Sequence, residues 1–161
     1  MAFINRCGGG GGGNNDEEIS AFLDRSIEKI VSNVAKVRQY ALYSFNFTPA
    51  VKTIKLPNVE TIEQYAFYQL TSLVKADFGK AKSIETMALY GCSSLETLII
   101  RNAESVCTLA DVNTLYCAKF YSSAGHIYVP SDLVSSYKGA TYWSDFKSVV
   151  RAIEDYPEIC G

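Results

Sequence analysis

The residues of this 161-residue chain with types suited to chemistry are one histidine, five cysteines, two glycine-containing stretches and a spaced set of tyrosines. A general base or a metal set would draw first on histidine, but His126 stands alone. No His pair exists, and a His–Cys cluster lacks its partners. His126 reads better as a turn residue ahead of the apolar Ile127-Tyr128-Val129. Cys7, Cys92, Cys107, Cys117 and Cys160 are odd in number and contain no CxxC pair, so they make neither a disulfide framework nor a zinc site. Unpaired thiols fit folding in a reducing cytosol, and Cys92 reads as core. Gly79-Lys80 lacks the upstream glycine of a phosphate loop, and the six glycines at 8–13 have no Lys-Ser/Thr after them, so neither reads as a nucleotide site. Asn46-Phe47-Thr48 matches a glycosylation sequon, but Pro49 follows it and no export signal is evident. The expectation is a non-enzyme, with no catalytic, cofactor or metal residue.

The tyrosines are a different case. Eleven are present against one tryptophan, and Tyr43, Tyr68 and Tyr90 recur at one position of a repeated segment. They should form a ladder of rings along one edge, which can bind a glycan or a protein partner or simply stack on itself. A second candidate surface is the outward row of the repeated strands: Thr53, Lys55, Lys75, Asp77, Thr97 and Ile99. Its mixed charge and an exposed Ile99 would suit a protein contact. A third is Phe3-Ile4, an apolar head in front of the glycine run. It reads either as an anchor docking into a partner or sister subunit, or as the start of a disordered tail.

These residues need a scaffold, and the chain repeats itself to provide one. Val51-Lys-Thr-Ile54-Lys-Leu56 and Leu73-Val-Lys-Ala76-Asp-Phe78 align 22 positions apart, as do Ile62 with Ile84 and 65–68 with 87–90. A period in the twenties marks a solenoid whose units bury their apolar edges against one another. An earlier unit runs through Ile27, Ile30, Val34, Val37 and 40–43, offset by 24 to 25 because residues 45–50 lengthen a turn. A later one starts at Leu95-Glu-Thr-Leu98-Ile-Ile100 and continues through Ala103, Val106, Leu109 and Ala110. The register then dissolves over 111–125, a polar loop with Cys117 and Phe120 as plugs. It returns at Ile127-Tyr-Val129-Pro130, the counterpart of Ile54-Lys-Leu56-Pro57, after a loop seven residues longer than usual.

Stacking predicts inward ladders Val51/Leu73/Leu95, Ile54/Ala76/Leu98, Leu56/Phe78/Ile100 and Ile62/Ile84/Val106. Phe45, Leu70 and Cys92 share a further inward position. Ala41, Ala66, Ala88 and Ala110 mark a spot too tight for a larger side chain.

Four segments follow: a Gly-rich arm over 1–15, a capping helix over 16–26, a solenoid over 27–130, and a helical cap and tail over 131–161. Asn15-Asp16-Glu17-Glu18 starts the first helix, and Pro130-Ser131-Asp132 the second. The second carries Leu133, Val134, Tyr137 and Ala140 on one face, with Trp143 packing where it ends, and 149–153 closes as an extended piece. With 48% apolar and 20% charged residues the bulk is globular, and a net charge of −2 counts against nucleic acid as a partner. No apolar run approaches a membrane helix, and 1–6 is too short and polar for a signal-peptide core.

The unit Leu-x-x-Ile-x-Leu-Pro-x-x-Val-x-x-Ile-x-x-Tyr-Ala-Phe-Tyr resembles the BspA-like leucine-rich repeat, and Met-Ala-Leu-Tyr-Gly-Cys (87–92) is close to that family's second corner. The resemblance covers about 27–130, and the stretch from Ile127 to Trp143 looks like the module that closes such repeats. It implies an α/β, short leucine-rich-repeat solenoid of about four coils of ~22 residues with a helical cap at each end. It also implies protein or surface binding without catalytic residues. Units one and two lack the Gly-Cys corner, and unit four lacks the aromatic one.

Short size, a Met-Ala-Phe-Ile-Asn-Arg head with a glycine run and a few such repeats resemble small virion or tail-associated proteins of bacteriophages infecting gut Firmicutes. The resemblance implies a virion structural protein (tail, fibre or head decoration) made in the host cytoplasm without a signal peptide. Its partners would be other virion proteins, or a host-surface protein or glycan, and it would form homo-oligomers. A bacterial surface adhesion or protein-interaction module is the alternative.

Overall fold

The computed structural model describes residues 28–43 and 50–160, so the expected arm, the helix over 16–26, the anchor Phe3-Ile4, Ile27 and Phe45 lie outside the described residues. The repeated apolar pattern produces two parallel sheets. The larger has the order β1 (Lys29–Val31), β3 (Thr53–Leu56), β5 (Lys75–Phe78), β7 (Thr97–Ile100), β9 (His126–Val129) and β10 (Val150–Ala152). The smaller has the order β2 (Lys36–Val37), β4 (Thr61–Ile62), β6 (Ser83–Ile84) and β8 (Thr108–Leu109). Successive strands of one sheet come from successive units, which is the arrangement of a solenoid.

Register follows the repeat. Ile30 pairs with Ile54, Ile54 with Ala76, Ala76 with Leu98 and Leu98 with Ile127. Leu56, Phe78 and Ile100 form the next rung. Val51, Leu73 and Leu95 are fully buried just ahead of these strands. Each large side chain so buried contributes roughly 1.5–3 kcal/mol before conformational entropy is subtracted. The strand beginning at His126 rejoins the large sheet at the register the Ile-x-Val-Pro pattern predicts, and β10 adds one more parallel strand beyond it.

Two details of the fourth unit differ from the expected register. Ile84 pairs with Leu109, because three extra residues precede β8 and leave Val106 only half-buried. Asn102 holds that insertion: its amide donates to the Ala81 carbonyl (3.3 Å) and its side-chain oxygen accepts the Glu104 N–H (3.0 Å). Ala110 is exposed, and Thr114 takes the tight buried spot instead. The Leu89 N–H donates to the Thr114 carbonyl as the Phe67 N–H does to the Ala88 carbonyl. The unit therefore keeps its corner at 113–116, four residues late, where the sequence suggests a dissolved register. Phe120 is a buried plug, whereas Cys117 is exposed, because it occupies the left-handed corner position that Gln69 and Gly91 hold in the earlier units.

Beyond β9 the chain forms a 3-10 turn (Ser131–Leu133) and α1 (Val134–Gly139), the α-helix among the described residues. Tyr137 and Trp143 from this module are buried against the end of the core, edge to face with ring centroids 5.2 Å apart.

Candidate interaction surface

The first three corners each begin on a residue in the left-handed region: Tyr40, Tyr65 and Met87 have φ of 60°, 58° and 54°. That conformation is costly for a residue with a Cβ. It is held because backbone N–H groups of each corner bond carbonyls of the next: Tyr65 to Thr86, Phe67 to Ala88 and Gln69 to Tyr90. Carboxylates complete the turn. Glu63 accepts the Gln39 N–H (2.9 Å) and Glu85 the Gln64 N–H (3.2 Å). Lys36, 2.7 Å from Glu63, holds that carboxyl below the usual glutamate range, helped by the Gln39 N–H against a partial burial cost.

This geometry places every second ring of the corners in register. Tyr43, Tyr68, Tyr90 and Tyr116 stack in steps of 5.1, 5.2 and 5.3 Å, with interplanar angles of 16°, 7° and 22°. A parallel pair, Tyr40 and Tyr65, lies beside them at 5.3 Å, joined edge to face by Tyr40–Tyr43 and Tyr65–Tyr68. Tyr116 continues to Tyr121 and Tyr121 to Phe146, so the band runs into the C-terminal module. Partial burial in the band raises the phenol pKa of Tyr43 and Tyr90, with a further rise from neighbouring phenols. Among the described residues the exposed large apolar side chains are Tyr40, Tyr43, Tyr116, Tyr121 and Tyr142, and the first four of these belong to this band.

Tyr40, Tyr65, Tyr116 and Tyr121 are absent from the set Tyr43, Tyr68 and Tyr90 expected from sequence. Tyr40 and Tyr65 are legible in the Tyr-x-x-Tyr spacing of both corners. Tyr116 is hidden by the four-residue shift of the fourth unit, and Tyr121 has no repeat counterpart.

The outward strand row is a different surface from the one expected. Thr53, Lys55 and Thr97 are half-buried on it, but Ile99 is fully buried and Asp77 is 2% exposed. The chain's own C-terminal segment accounts for Ile99: Ile153, Tyr156 and Ile159 pack with Ile99 and Tyr128 in a second small core. Lys75 is drawn into the same contact, its Nζ donating to the Ile159 carbonyl (2.6 Å). Asp77 is covered by Arg101, whose guanidinium grips both carboxylate oxygens at 2.9 and 2.8 Å. The row is therefore partly an intramolecular interface. Its pattern gave no sign of that, because the covering segment lies outside the repeat.

His126 is half-exposed on β9 with its ring 6.0 Å from that of Tyr128. Cys92 is fully buried with Sγ donating to the Phe67 carbonyl (3.2 Å), and burial pushes its thiol up to about 12. Among the described residues no three His, Cys, Asp or Glu side chains stand together as a metal set, and no helix is long and apolar enough to cross a membrane.

The family of the BspA type leucine rich repeat region matches residues 18–132 in six copies. Comparison with curated proteins finds no match.

Proposed function

Since the chain belongs to the BspA type leucine rich repeat family, we propose that it is a non-catalytic protein-interaction module carried on a bacteriophage particle, with its tyrosine band as the recognition surface. One observation carries the choice of surface: exposed large apolar side chains of the described residues concentrate on the stacked corners while the strand row is partly covered by the chain itself. Tyrosine supplies wide, rigid contact area at low entropy cost, which suits a recognition face.

The virion placement is supported by the Met-Ala-Phe-Ile-Asn-Arg head and the glycine run at 8–13, which resemble small phage structural proteins. In that placement the arm fastens the chain to other virion proteins and the repeats meet a host-surface protein or glycan. Immunogold labelling of purified particles is expected to decorate them, and label confined to the cytosol of infected cells overturns the placement. Adsorption of particles to host cells should be competed by the purified chain, but not by a Tyr40→Ser/Tyr116→Ser variant.

The family resemblance favours equally a bacterial surface adhesion module using the same face. Genome neighbours encoding capsid and tail proteins would argue for the virion, and their absence for the cell surface.

A further inference from the structure

The corners that carry the band have a second property besides their rings: they hold no charge. Residues 39–43, 64–72, 86–94 and 112–118 contain no Asp, Glu, Lys, Arg or His, in a chain where Asp, Glu, Lys and Arg make up a fifth of all residues. The carboxylates flanking them, Glu63, Glu85 and Asp111, accept hydrogen bonds from corner backbone N–H groups, and Glu63 is neutralised by Lys36. What the face presents is phenol, amide and hydroxyl groups, each of which both donates and accepts a hydrogen bond.

Stacking also decides which part of each ring is offered. Tyr68 and Tyr90 have a ring neighbour on both sides, so their faces are used within the ladder and their edges and hydroxyls remain to meet a partner. A sugar ring placed flat on an aromatic face would have to break into that stack, which disfavours a glycan as the occupant of the middle of the band.

From this we propose that the tyrosine band is a two-fold contact between two copies of this chain. The proposal rests on reading the band as an interaction surface, and names a second copy of this chain, in place of a host molecule, as what covers it. A two-fold interface sets a patch against itself, so it excludes patches of one charge sign and requires groups that can pair with their own kind. The uncharged corners meet both demands. Tyr40, beside the first ring of the ladder, and Tyr116, its last ring, are 50% and 47% exposed and face each other's coils when two ladders run antiparallel. Tyrosine edges then interdigitate around a centre at Tyr68 and Tyr90, and the repeats of both copies form one longer body.

Sedimentation equilibrium of the full chain over a concentration series tests this, at about 50 mM and about 500 mM salt, a range that screens charge pairs strongly. The wild type is expected to reach dimer mass with a dissociation constant that changes less than about threefold between the two salts, because no ion pair crosses the contact. Tyr40→Ser/Tyr116→Ser should weaken the dimer at least about tenfold, since interface tyrosines are common hot spots. Tyr68→Arg, which sets like charges across the two-fold, should make the chain monomeric. Lys80→Ser, in the exposed turn at the other end of the coil, should leave the dimer unchanged. Far-UV circular dichroism and urea midpoints establish that each variant is folded, and Tyr40→Ser/Tyr116→Ser supplies the reading if Tyr68→Arg is not. A wild type that stays monomeric throughout overturns the proposal, as does a dimer that these tyrosine variants leave intact. If the chain is monomeric yet Tyr40→Ser/Tyr116→Ser no longer competes for host adsorption, the two-copy contact is refuted while the recognition reading of the band survives.

Discussion

The indole N–H of Trp143 donates to the backbone carbonyl of Cys107 at 2.7 Å, across 36 residues of sequence. The N–H of that same Cys107 donates to the Tyr137 hydroxyl at 2.9 Å. Cys107 immediately precedes β8, the last strand of the small sheet, so its two backbone groups have no following coil to bond. Side chains of the C-terminal module take the place of a further strand. The edge of the sheet is thereby sealed in a buried setting, where an unpaired backbone group is expensive.

Tyr137→Phe and Trp143→Phe should each destabilise the chain by about 1–3 kcal/mol, the cost of leaving a buried backbone group unsatisfied. Urea unfolding measures it. The two losses should not add independently, since both partners meet one peptide segment. A double variant equal to the sum of two near-zero losses would show that the module packs without sealing the edge.

Two glycines separate crowding from backbone conformation. A Cβ on Gly79 would stand 1.8 Å from the Pro57 carbonyl oxygen, backbone against backbone between neighbouring coils. Gly91 has φ +75°, yet Gln69 and Cys117 hold the equivalent corner positions with φ of 58° and 72°. Gly91→Ala should therefore cost only about 1–2 kcal/mol. Gly79→Ala must separate two coils and should cost more, read from urea midpoints. Equal losses would contradict the close approach.

These examples also mark where the sequence is legible. The strand register was readable from Ile54, Ala76, Leu98 and Ile127 because each inward residue is set by a fixed period and must stack on its counterpart. The fourth corner was not, because Asn102 accommodates three extra residues in a turn, and Thr114 replaces the alanine that marks the tight spot. Of the candidate surface, the stacked rings of Tyr43, Tyr68 and Tyr90 could be anticipated from periodicity alone. The burial of Ile99 could not. It depends on Tyr156 and Ile159 folding back over the sheet, and nothing in a repeat pattern encodes a contact with a segment outside it.

The Asp77–Arg101 pair offers a sharper test of that outward row. Asp77 is almost fully buried while Arg101 remains about a third exposed. Arg101→Met removes both charge-assisted bonds and leaves a carboxylate without this partner, which should cost about 3–5 kcal/mol. Pairing it with Asp77→Val should restore most of the loss, since an apolar pair carries no desolvation penalty. Thermal unfolding of the single and double variants decides this, and a double variant no more stable than Arg101→Met would show that the ion pair has a role beyond mutual neutralisation.

Thiol chemistry follows from burial in the same direct way. Burial pushes the Cys92 and Cys107 thiols up to about 12, whereas Cys117 is exposed at its corner. A thiol raised in the folded chain favours the protonated state. Its contribution to stability is therefore complete below the ordinary thiol range near 9 and is lost as pH rises through about 12. The raised phenols of Tyr43 and Tyr90 act in the same direction, so the urea midpoint should fall steadily above about pH 9. At about pH 8, iodoacetamide followed by peptide mass spectrometry should modify Cys117 in the folded chain while Cys92 and Cys107 react only after urea is added. Labelling of Cys92 at the rate of Cys117 without denaturant would mean that the coil carrying Gly91-Cys92 opens far more readily than its complete burial implies.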